Sequence, residues 1–343
     1  MTGMLRRPVV WLPISLVLLG LVAWRSHVWE ATELLGSPAP LPLAVAVLLN
    51  GLVVGLWAIR SANLLGAAGH PVARAALVPM TAFANTINNL TPGSAGEVVR
   101  AWLLRARHAV PYAAGTAVIV IERVVALAYM GASALVAWTG HVLGLPVLLV
   151  IALFLVVAAA PAIAYGIGLR PAAAIGAMPL GFLFGPERWT RLRGALVRMD
   201  TTIAGLLTNP RHLVGFALTT ALIFATYTAQ LWLVAASLGV TLDPLATWGA
   251  LGLATVAGVV SLLPFGLGAT DAVLATLLVS MGVPATAAGA ITFGYRLVAT
   301  LPLGLIGAAS YGWLSARLPP GGTSAVIEAV TAGIADERPE VAG

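Results

Sequence analysis

The sequence predicts an all-α polytopic membrane protein with six full spans and two re-entrant helical hairpins that are related as an inverted repeat. Three observations lead to this prediction: the composition, a duplicated Pro/Gly motif and the distribution of arginines. Of the 343 residues, 60% are hydrophobic and 9% are charged, whereas soluble domains have about 25% charged residues. The chain has neither cysteine nor lysine. This excludes disulfides, a thiol nucleophile and the lysine of a P-loop ATPase.

The predicted spans are apolar runs long enough to cross a hydrocarbon core of about 30 Å. They lie at 8–27, 41–60, 111–138, 143–168, 212–238 and 285–315. The first is interpreted as a retained span, because its apolar run is long for a signal peptide. Two further apolar regions, 74–107 and 245–282, are interrupted near their middle by Pro and Gly. Each is predicted to be a hairpin that enters and leaves on one side of the membrane.

The Pro/Gly motif occurs twice, and Pro264 lies 172 residues after Pro92. The matched residues are Pro92, Gly93 and Gly96, followed by Arg123, in the first copy and Pro264, Gly266 and Gly268, followed by Arg296, in the second. Paired hydrophobic segments broken by Gly and Pro in two halves of a membrane protein are typical of a transport site.

The arginines predict the orientation in the inner or plasma membrane. With the N-terminus in the cytoplasm, most loop arginines are cytoplasmic, as the positive-inside rule requires. These are Arg6, Arg7, Arg60, Arg74, Arg105, Arg107, Arg170, Arg188, Arg191, Arg193, Arg198, Arg211 and Arg317. Three crossings separate the hairpins, so they are predicted to enter from opposite sides, and both termini are predicted to be cytoplasmic.

The predicted domain organisation is a transmembrane domain at 1–318 and a disordered acidic tail at 319–343. Repeat 1 covers about 74–138 and repeat 2 about 245–315. Between them, residues 186–207 predict a cytoplasmic amphipathic helix, whose apolar stripe consists of Trp189, Leu192, Leu196, Met199, Ile203 and Leu206. Two interpretations stay open for this helix: it lies in the headgroup plane, or it connects the halves and packs on the bundle.

The central candidates for a functional site are Arg123 and Arg296. Each lies about 12 residues, or about 18 Å, into an apolar helix, and a central arginine is costly unless it meets a partner or water. One interpretation is structural: Arg123 pairs with Glu97 and Arg296 with Asp271, which locks each hairpin to the next helix. The other is that the arginines bind an anion such as a lipid phosphate. The two alternate if the carboxylate holds the arginine until phosphate displaces it.

Other candidates surround these arginines. Arg100 and Glu122 are charged at or near membrane depth, and Gly96 and Gly268 mark half-helix N-termini, whose free N–H groups suit an anion. Polar side chains of the first half-helix satisfy the broken backbone or contact substrate; they are Asn85, Asn88, Asn89 and Thr91. Tyr295 offers a hydroxyl or simply packs.

The motifs resemble those of a known family. The first string is Asn89-Leu90-Thr91-Pro92-Gly93-Ser94-Ala95-Gly96-Glu97-Val98-Val99-Arg100, with Glu122-Arg123 downstream, and the second is Leu263-Pro264-Phe265-Gly266-Leu267-Gly268-Ala269-Thr270-Asp271, with Arg296 downstream. Over most of 8–317 the chain resembles the lysylphosphatidylglycerol synthase transmembrane region, also called the flippase-like domain family. Asp271 stands where the family commonly has glutamate.

The resemblance implies movement of phospholipids or polyprenyl-phosphate-linked lipids between leaflets. The sequence after Leu318 is too short for the soluble aminoacylating domain of fused members, so we expect a stand-alone translocase unit. The expected partners are an anionic lipid and the bilayer, with a lipid-synthesising enzyme as a further candidate. Nucleic acid is not expected, because the arginines sort by membrane side.

Transport without an ATPase motif would be downhill, ion-coupled or driven by a partner. Glu97, Glu122 and Asp271 are candidate proton carriers, because burial disfavours a charged carboxylate. No enzymatic activity, cofactor or metal site is predicted. Two alternatives remain: an integral-membrane transferase acting on a lipid-linked substrate, and a non-transporting scaffold for a lipid-processing partner. The transferase lacks a poised base, since all five histidines fall in loops or at span ends.

Overall fold

The computed structural model describes residues 38–90, 95–166, 210–261, 266 and 268–316, with isolated positions between 185 and 204. All regular secondary structure in these ranges is helical. The helices are α1 (Pro40–Ala67), α2 (Arg74–Leu90), α3 (Ala95–His108), α4 (Tyr112–Val142), α5 (Val147–Gly166), α6 (Pro210–Ser237), α7 (Pro244–Val260), α8 (Ala269–Ser280), α9 (Ala285–Ala299) and α10 (Leu301–Ser315).

Four stretches are long and apolar enough to cross a membrane: Pro40–Ala67, Ala114–Val142, Val214–Ser237 and Ala285–Ser315. Their outer surfaces are rich in large apolar side chains, such as Leu48 with 74% and Leu305 with 65% exposure. Such a surface would be unfavourable in water, whereas lipid tails are as apolar as leucine. The fold is therefore that of a membrane protein.

Helices α1 and α6 form an antiparallel pair. At one end the Ala39 N–H donates to the Ser237 carbonyl at 2.8 Å. At the other end Gly66 lies against the ring of His212, where an added Cβ would be 2.8 Å from the ring. The hairpin α2–α3 follows the C-terminus of α1, and the hairpin α7–α8 follows the C-terminus of α6. The two hairpins therefore begin at opposite ends of this helix pair.

The first hairpin packs on the last helix of the described chain. Along the contact between α2 and α10, Thr86 Oγ1 donates to the Leu303 carbonyl at 3.4 Å. The Phe83 ring stacks on Tyr311 with centroids 5.1 Å apart. Gly307 faces Thr86 so closely that an added Cβ would clash with its side chain. Small residues of this kind let membrane helices approach closely.

The second hairpin packs in the same manner on the long helix of the first half. In the contact between α7 and α4, Trp248 Nε1 donates to Ser133 Oγ at 3.1 Å. Gly252 faces Ala134, and an added Cβ would clash with the Ala134 methyl group. The first hairpin thus packs on α10, which comes after the second hairpin, and the second hairpin packs on α4, which comes after the first. The two halves are therefore interleaved.

The first hairpin closes at Gly96. A Cβ added there would clash with the Ala84 carbonyl oxygen of the opposite arm and lie 2.7 Å from Asn88 Oδ1. Only glycine allows the two arms to approach this closely. Gly96, which the sequence predicts as a site residue, therefore has a packing role. Pro92 and Gly93, predicted in the turn between the arms, lie outside the described residues.

The second hairpin turns through residues with positive φ. Gly266 has φ 60° and Gly268 has φ 84°, a region that glycine adopts without steric cost. The Gly268 N–H donates to Asp271 Oδ2 at 3.0 Å, so the carboxylate satisfies a free N–H at the start of α8. Pro264 lies outside the described residues.

The predicted span at 285–315 is long and apolar enough to cross a membrane, but it is interrupted at Thr300, where α9 ends and α10 begins. Pro302 has no N–H and cannot donate to the Val298 carbonyl four residues earlier. That carbonyl instead accepts a hydrogen bond from Asn50 Nδ2 of α1 at 2.8 Å. A side chain from a distant helix thereby compensates for the break.

The remaining helices lie where the sequence predicts them, although α1 continues past its predicted end at 60 to Ala67. The interrupted regions at 74–107 and 245–282 are each two helices, and α1, α4, α5 and α6 correspond to the predicted spans at 41–60, 111–138, 143–168 and 212–238. The span at 8–27 and the tail at 319–343 lie outside the described residues. In the predicted amphipathic helix at 186–207, the positions that the structure describes are helical. Ile203 packs against the apolar cluster that includes Leu64, Leu77 and Leu103.

We expect Gly96→Ala to destabilise the protein by about 1–3 kcal/mol, because the added methyl group forces the hairpin arms apart. Thermal denaturation of the purified full chain in detergent measures the effect. The matched control is Gly51→Ala in α1, where an added Cβ meets nothing within 4 Å and alanine favours the helix. Equal melting temperatures for the two variants would contradict the close packing at Gly96.

Candidate functional site

A cavity of about 550 Å³ is lined by both hairpins and by the helices that hold them. Among the described residues, its polar and charged lining includes Arg60, Asn85, Asn88, Asn89, Glu97, Arg100, Glu122, Arg123, Asp271, Tyr295 and Arg296. The apolar part of the lining includes Leu127, Phe224, Leu251 and Leu303. Residues about 170 positions apart in the chain therefore face one cavity, as the duplicated motif suggests.

The first ion pair joins α4 to the first hairpin. Arg123 Nε donates to Glu97 Oε1 at 2.5 Å, and Arg123 Nη2 contacts the same oxygen. Asn88 Nδ2 also donates to this oxygen, at 2.7 Å. The Arg123 side chain is 53% exposed, whereas that of Glu97 is 13% exposed. The pair is therefore accessible from the arginine side.

The second ion pair joins α9 to the second hairpin. Arg296 Nε donates to Asp271 Oδ1 at 2.6 Å, and Arg296 Nη2 donates to Asp271 Oδ2 at 3.1 Å. The same Nη2 reaches the Gly266 carbonyl at 3.4 Å. The side chains are only 16% and 2% exposed. A bidentate pair of this kind fixes orientation as well as charge. Arg296 of α9 therefore holds the turn of the second hairpin in place.

Behind the first pair lies a buried network centred on Glu122. Arg60 donates to Glu122 Oε1 from Nη2 at 2.8 Å and from Nε at 3.1 Å. Arg100 Nη2 donates to Glu122 Oε2 at 2.6 Å, and Ser61 Oγ lies between them, 2.5 Å from the same Nη2. All three charged residues are less than 8% exposed. One carboxylate thus holds two guanidinium groups.

Arg60 is not a cytoplasmic loop residue, and that prediction is wrong. Helix α1 continues to Ala67, so Arg60 lies inside it, 7% exposed and paired with Glu122. Its role is missed by sequence analysis because its partner is 62 residues away. The signal in the sequence is the apolar stretch after it, which includes Leu64 and Leu65 and keeps the helix apolar beyond the arginine.

The two halves differ in chemistry around similar helices. Aligned with Glu122 and Arg123 of the first copy are Tyr295 and Arg296 of the second. Tyr295 lines the cavity and also packs against the apolar cluster that includes Leu274 and Ile291. This contact agrees with the predicted packing role of Tyr295. Asn85 and Asn89 line the cavity as well, and Thr91 lies outside the described residues.

The cavity has a small positive charge. Among the residues that the structure describes, the lining contains four arginines, Arg60, Arg100, Arg123 and Arg296, and three carboxylates, Glu97, Glu122 and Asp271. With all groups ionised, four positive charges and three negative charges leave a net charge of +1. A guanidinium-rich cavity with this balance would attract one anionic group more strongly than a neutral or cationic group.

Over most of its length the chain is similar to known proteins. The family model described as lysylphosphatidylglycerol synthase TM region matches residues 10–307. The chain belongs to this family. The resemblance noted in the sequence is thus confirmed, and it identifies a membrane protein of a family linked to lipid handling.

One curated relative of this family member is a UPF0104 membrane protein from Methanothermobacter thermautotrophicus. It is 25% identical over 317 residues, which cover 86% of this chain and 93% of the relative. The similarity therefore extends over nearly the whole of both proteins.

We expect Glu122→Gln to destabilise the protein by about 3–5 kcal/mol, because it leaves two buried guanidinium groups with insufficient compensation. Thermal or chemical denaturation of the full chain in detergent measures the loss. Glu97→Gln is the matched control, and its expected loss is about 1 kcal/mol because its partner Arg123 is half exposed. Equal losses in the free energy of unfolding for both variants would show that the Glu122 network contributes no more stability than the pair of Glu97 and Arg123.

Proposed function

We propose that the protein is a lipid translocase that moves an anionic phospholipid or a polyprenyl-phosphate-linked lipid between leaflets. The headgroup phosphate binds to the intramembrane arginines. The observation that supports this most strongly is that Arg123 and Arg296, each with its carboxylate, line the same cavity. The proposed activity is transport without a chemical step.

The ion pairs suit a cavity that is alternately empty and loaded. Arginine binds phosphate oxygens through its planar fork and remains charged when partly desolvated. In the empty cavity, Glu97 and Asp271 neutralise the arginines, which an isolated charge in an apolar bundle requires. A phosphate of one negative charge matches the net charge of the lining.

The apolar part of the lining suits the remainder of the substrate. Leu127, Phe224 and Leu303 contribute apolar surface to the same cavity as the charged groups. Pockets of this mixed type orient a ligand through a few polar groups and accept its apolar part elsewhere. A lipid headgroup with its glycerol or first isoprene unit has this division of polarity.

We further propose that the two halves form an inverted repeat within a six-span bundle. The support is threefold: α1 and α6 are antiparallel, the hairpins begin at opposite ends of this pair, and each hairpin packs on the long helix of the other half. In secondary transporters, repeats of this kind place the substrate site between them and permit alternating access.

We expect purified protein in liposomes to move acyl-labelled fluorescent phosphatidylglycerol, and we expect the double variant Arg123→Ala with Arg296→Ala to transport it at least about tenfold more slowly. The reason is the loss of both cavity-facing guanidinium groups of the motif, each of which contributes a charge-assisted contact. Dithionite quenching of the outer-leaflet label measures the rate.

The control for this experiment is Arg74→Ala with Arg105→Ala, which removes the same total charge from exposed positions outside the cavity. We expect this variant to stay within about twofold of the wild-type rate, because exposed charges are largely solvated. Full transport by the double variant of Arg123 and Arg296 would exclude the arginine model.

The inverted repeat makes a prediction about sidedness that uses the absence of cysteine from the sequence. Single cysteines at His70 and His108 flank the first hairpin, and those at Thr241 and Ser280 flank the second. We expect a membrane-impermeant maleimide to label the first two from one side and the last two from the other. Labelling of His70→Cys and His108→Cys from different sides would show that α2–α3 crosses the membrane.

A further inference from the structure

Three buried polar atoms near the first motif have no hydrogen-bond partner among the residues that the structure describes. Besides Asn88 Oδ1, they are Glu97 Oε2 and Arg100 Nε. One is an acceptor and the other a donor, and they belong to neighbouring side chains: Glu97 Oε2 lies 3.8 Å from Arg100 Nη1. A buried polar atom without a partner costs free energy. Here one such acceptor and one such donor belong to side chains whose charged groups lie 3.8 Å apart, at Glu97 Oε2 and Arg100 Nη1.

The hydrogen bonds of Glu97 are all on its other oxygen. Oε1 accepts from Arg123 Nε at 2.5 Å and from Asn88 Nδ2 at 2.7 Å. The carboxylate therefore has one occupied edge that faces Arg123 and one unoccupied edge that faces Arg100. A change of side-chain torsion, without movement of α3, would exchange one guanidinium partner for the other.

We propose that Glu97 is an exchanging carboxylate, and that Arg100 is the positioning residue that receives it. In the empty state Glu97 neutralises Arg123. When the headgroup phosphate of an anionic lipid enters, it binds Arg123, and Glu97 moves to Arg100, where its free oxygen closes the 3.8 Å gap to Nη1. This inference rests on the proposed function. It adds that Arg100 favours the binding of the anion, because Arg100 receives the carboxylate that the anion displaces.

Arg100 is suited to receive Glu97 because it is already held in place. Its Nη2 donates to Glu122 Oε2 at 2.6 Å and to Ser61 Oγ at 2.5 Å, and the residue is 5% exposed. The guanidinium is therefore anchored by one edge, while its Nε remains available. Arg123, with 53% of its side chain exposed, is the better placed of the two to contact phosphate.

The second ion pair does not offer the same exchange. Both oxygens of Asp271 are bonded, Oδ1 to Arg296 and Oδ2 to Arg296 and the Gly268 N–H. The structure provides no second guanidinium for Asp271 in the described part of this hairpin. Its release from Arg296 would also leave the start of α8 without a cap. The exchange is therefore assigned to the first half.

A double-mutant cycle at Glu97 and Arg100 tests this assignment. The probe is dihexanoyl-phosphatidylglycerol, titrated into the full chain in detergent and followed by calorimetry, with dihexanoyl-phosphatidylcholine as the zwitterionic control. We expect Glu97→Gln to bind the anionic probe about tenfold more tightly, because Arg123 is no longer neutralised. We expect Arg100→Lys to bind it about tenfold more weakly, because Lys retains the charge beside Glu122 but lacks the guanidinium Nη1 that receives Glu97.

The decisive result is the combination of the two substitutions. If Glu97 must move to Arg100, then Arg100→Lys has little effect once Glu97 is glutamine, and the double variant binds like Glu97→Gln alone. Equal weakening by Arg100→Lys in both backgrounds would mean that Arg100 contacts the phosphate directly, and would overturn the exchange. Absence of saturable binding by the wild type would overturn the proposed function together with it.

A second measurement does not depend on the folding of an Arg100 variant. Infrared difference spectra of the full chain, recorded with and without dihexanoyl-phosphatidylglycerol, report changes in carboxylate hydrogen bonding. We expect a shifted carboxylate band in the wild type that is lost in Glu97→Gln and retained in Asp271→Asn. A band that persists in Glu97→Gln would overturn the exchange, even where the binding of the lipid is intact.

Discussion

Charge compensation inside an apolar bundle is the constraint on which the arrangement of this protein depends. An arginine placed among membrane helices is costly unless it meets a carboxylate, a backbone carbonyl or water. Here the guanidinium groups that line the cavity are each joined to a carboxylate of another helix. Glu122 alone connects α1, α3 and α4 through Arg60 and Arg100. The same contacts that make the charges tolerable also hold the hairpins in place around the cavity.

The two halves contain the same order of hairpin and following helix, but their charged residues make different contacts. In the second half, Asp271 and Arg296 are buried, bidentate and bonded to the hairpin turn. In the first half, Arg123 is half exposed and shares one carboxylate oxygen with Asn88. A fully satisfied pair favours rigidity, whereas a pair with an unsatisfied oxygen can rearrange at lower cost. Duplication therefore supplies the scaffold, and the divergence of single side chains determines which half responds to a ligand.

The sequence predicts the local features of this protein well, because Pro and Gly interrupt apolar helices at recognisable positions. It also indicates both hairpin ion pairs, since each arginine follows its motif at nearly the same distance. It does not predict contacts between distant helices. The bond of Asn50 to Val298 spans 248 residues, and the pairing of Arg60 is equally invisible in a single sequence. The positive-inside rule assigns Arg60 to a loop because it counts arginines near span ends and does not consider their partners.

The interleaving of the halves also has a consequence for biosynthesis. The bond between Thr86 and Leu303 joins residues 217 positions apart, so α2 is made long before the helix on which it packs. Contacts of such long range delay folding, because a long segment must be synthesised and closed first. During that interval, the helices of the described chain that are already made and contact the charged first hairpin are α1 and α4. The Glu122 network lies within these early helices, so it can form before insertion of the chain is complete.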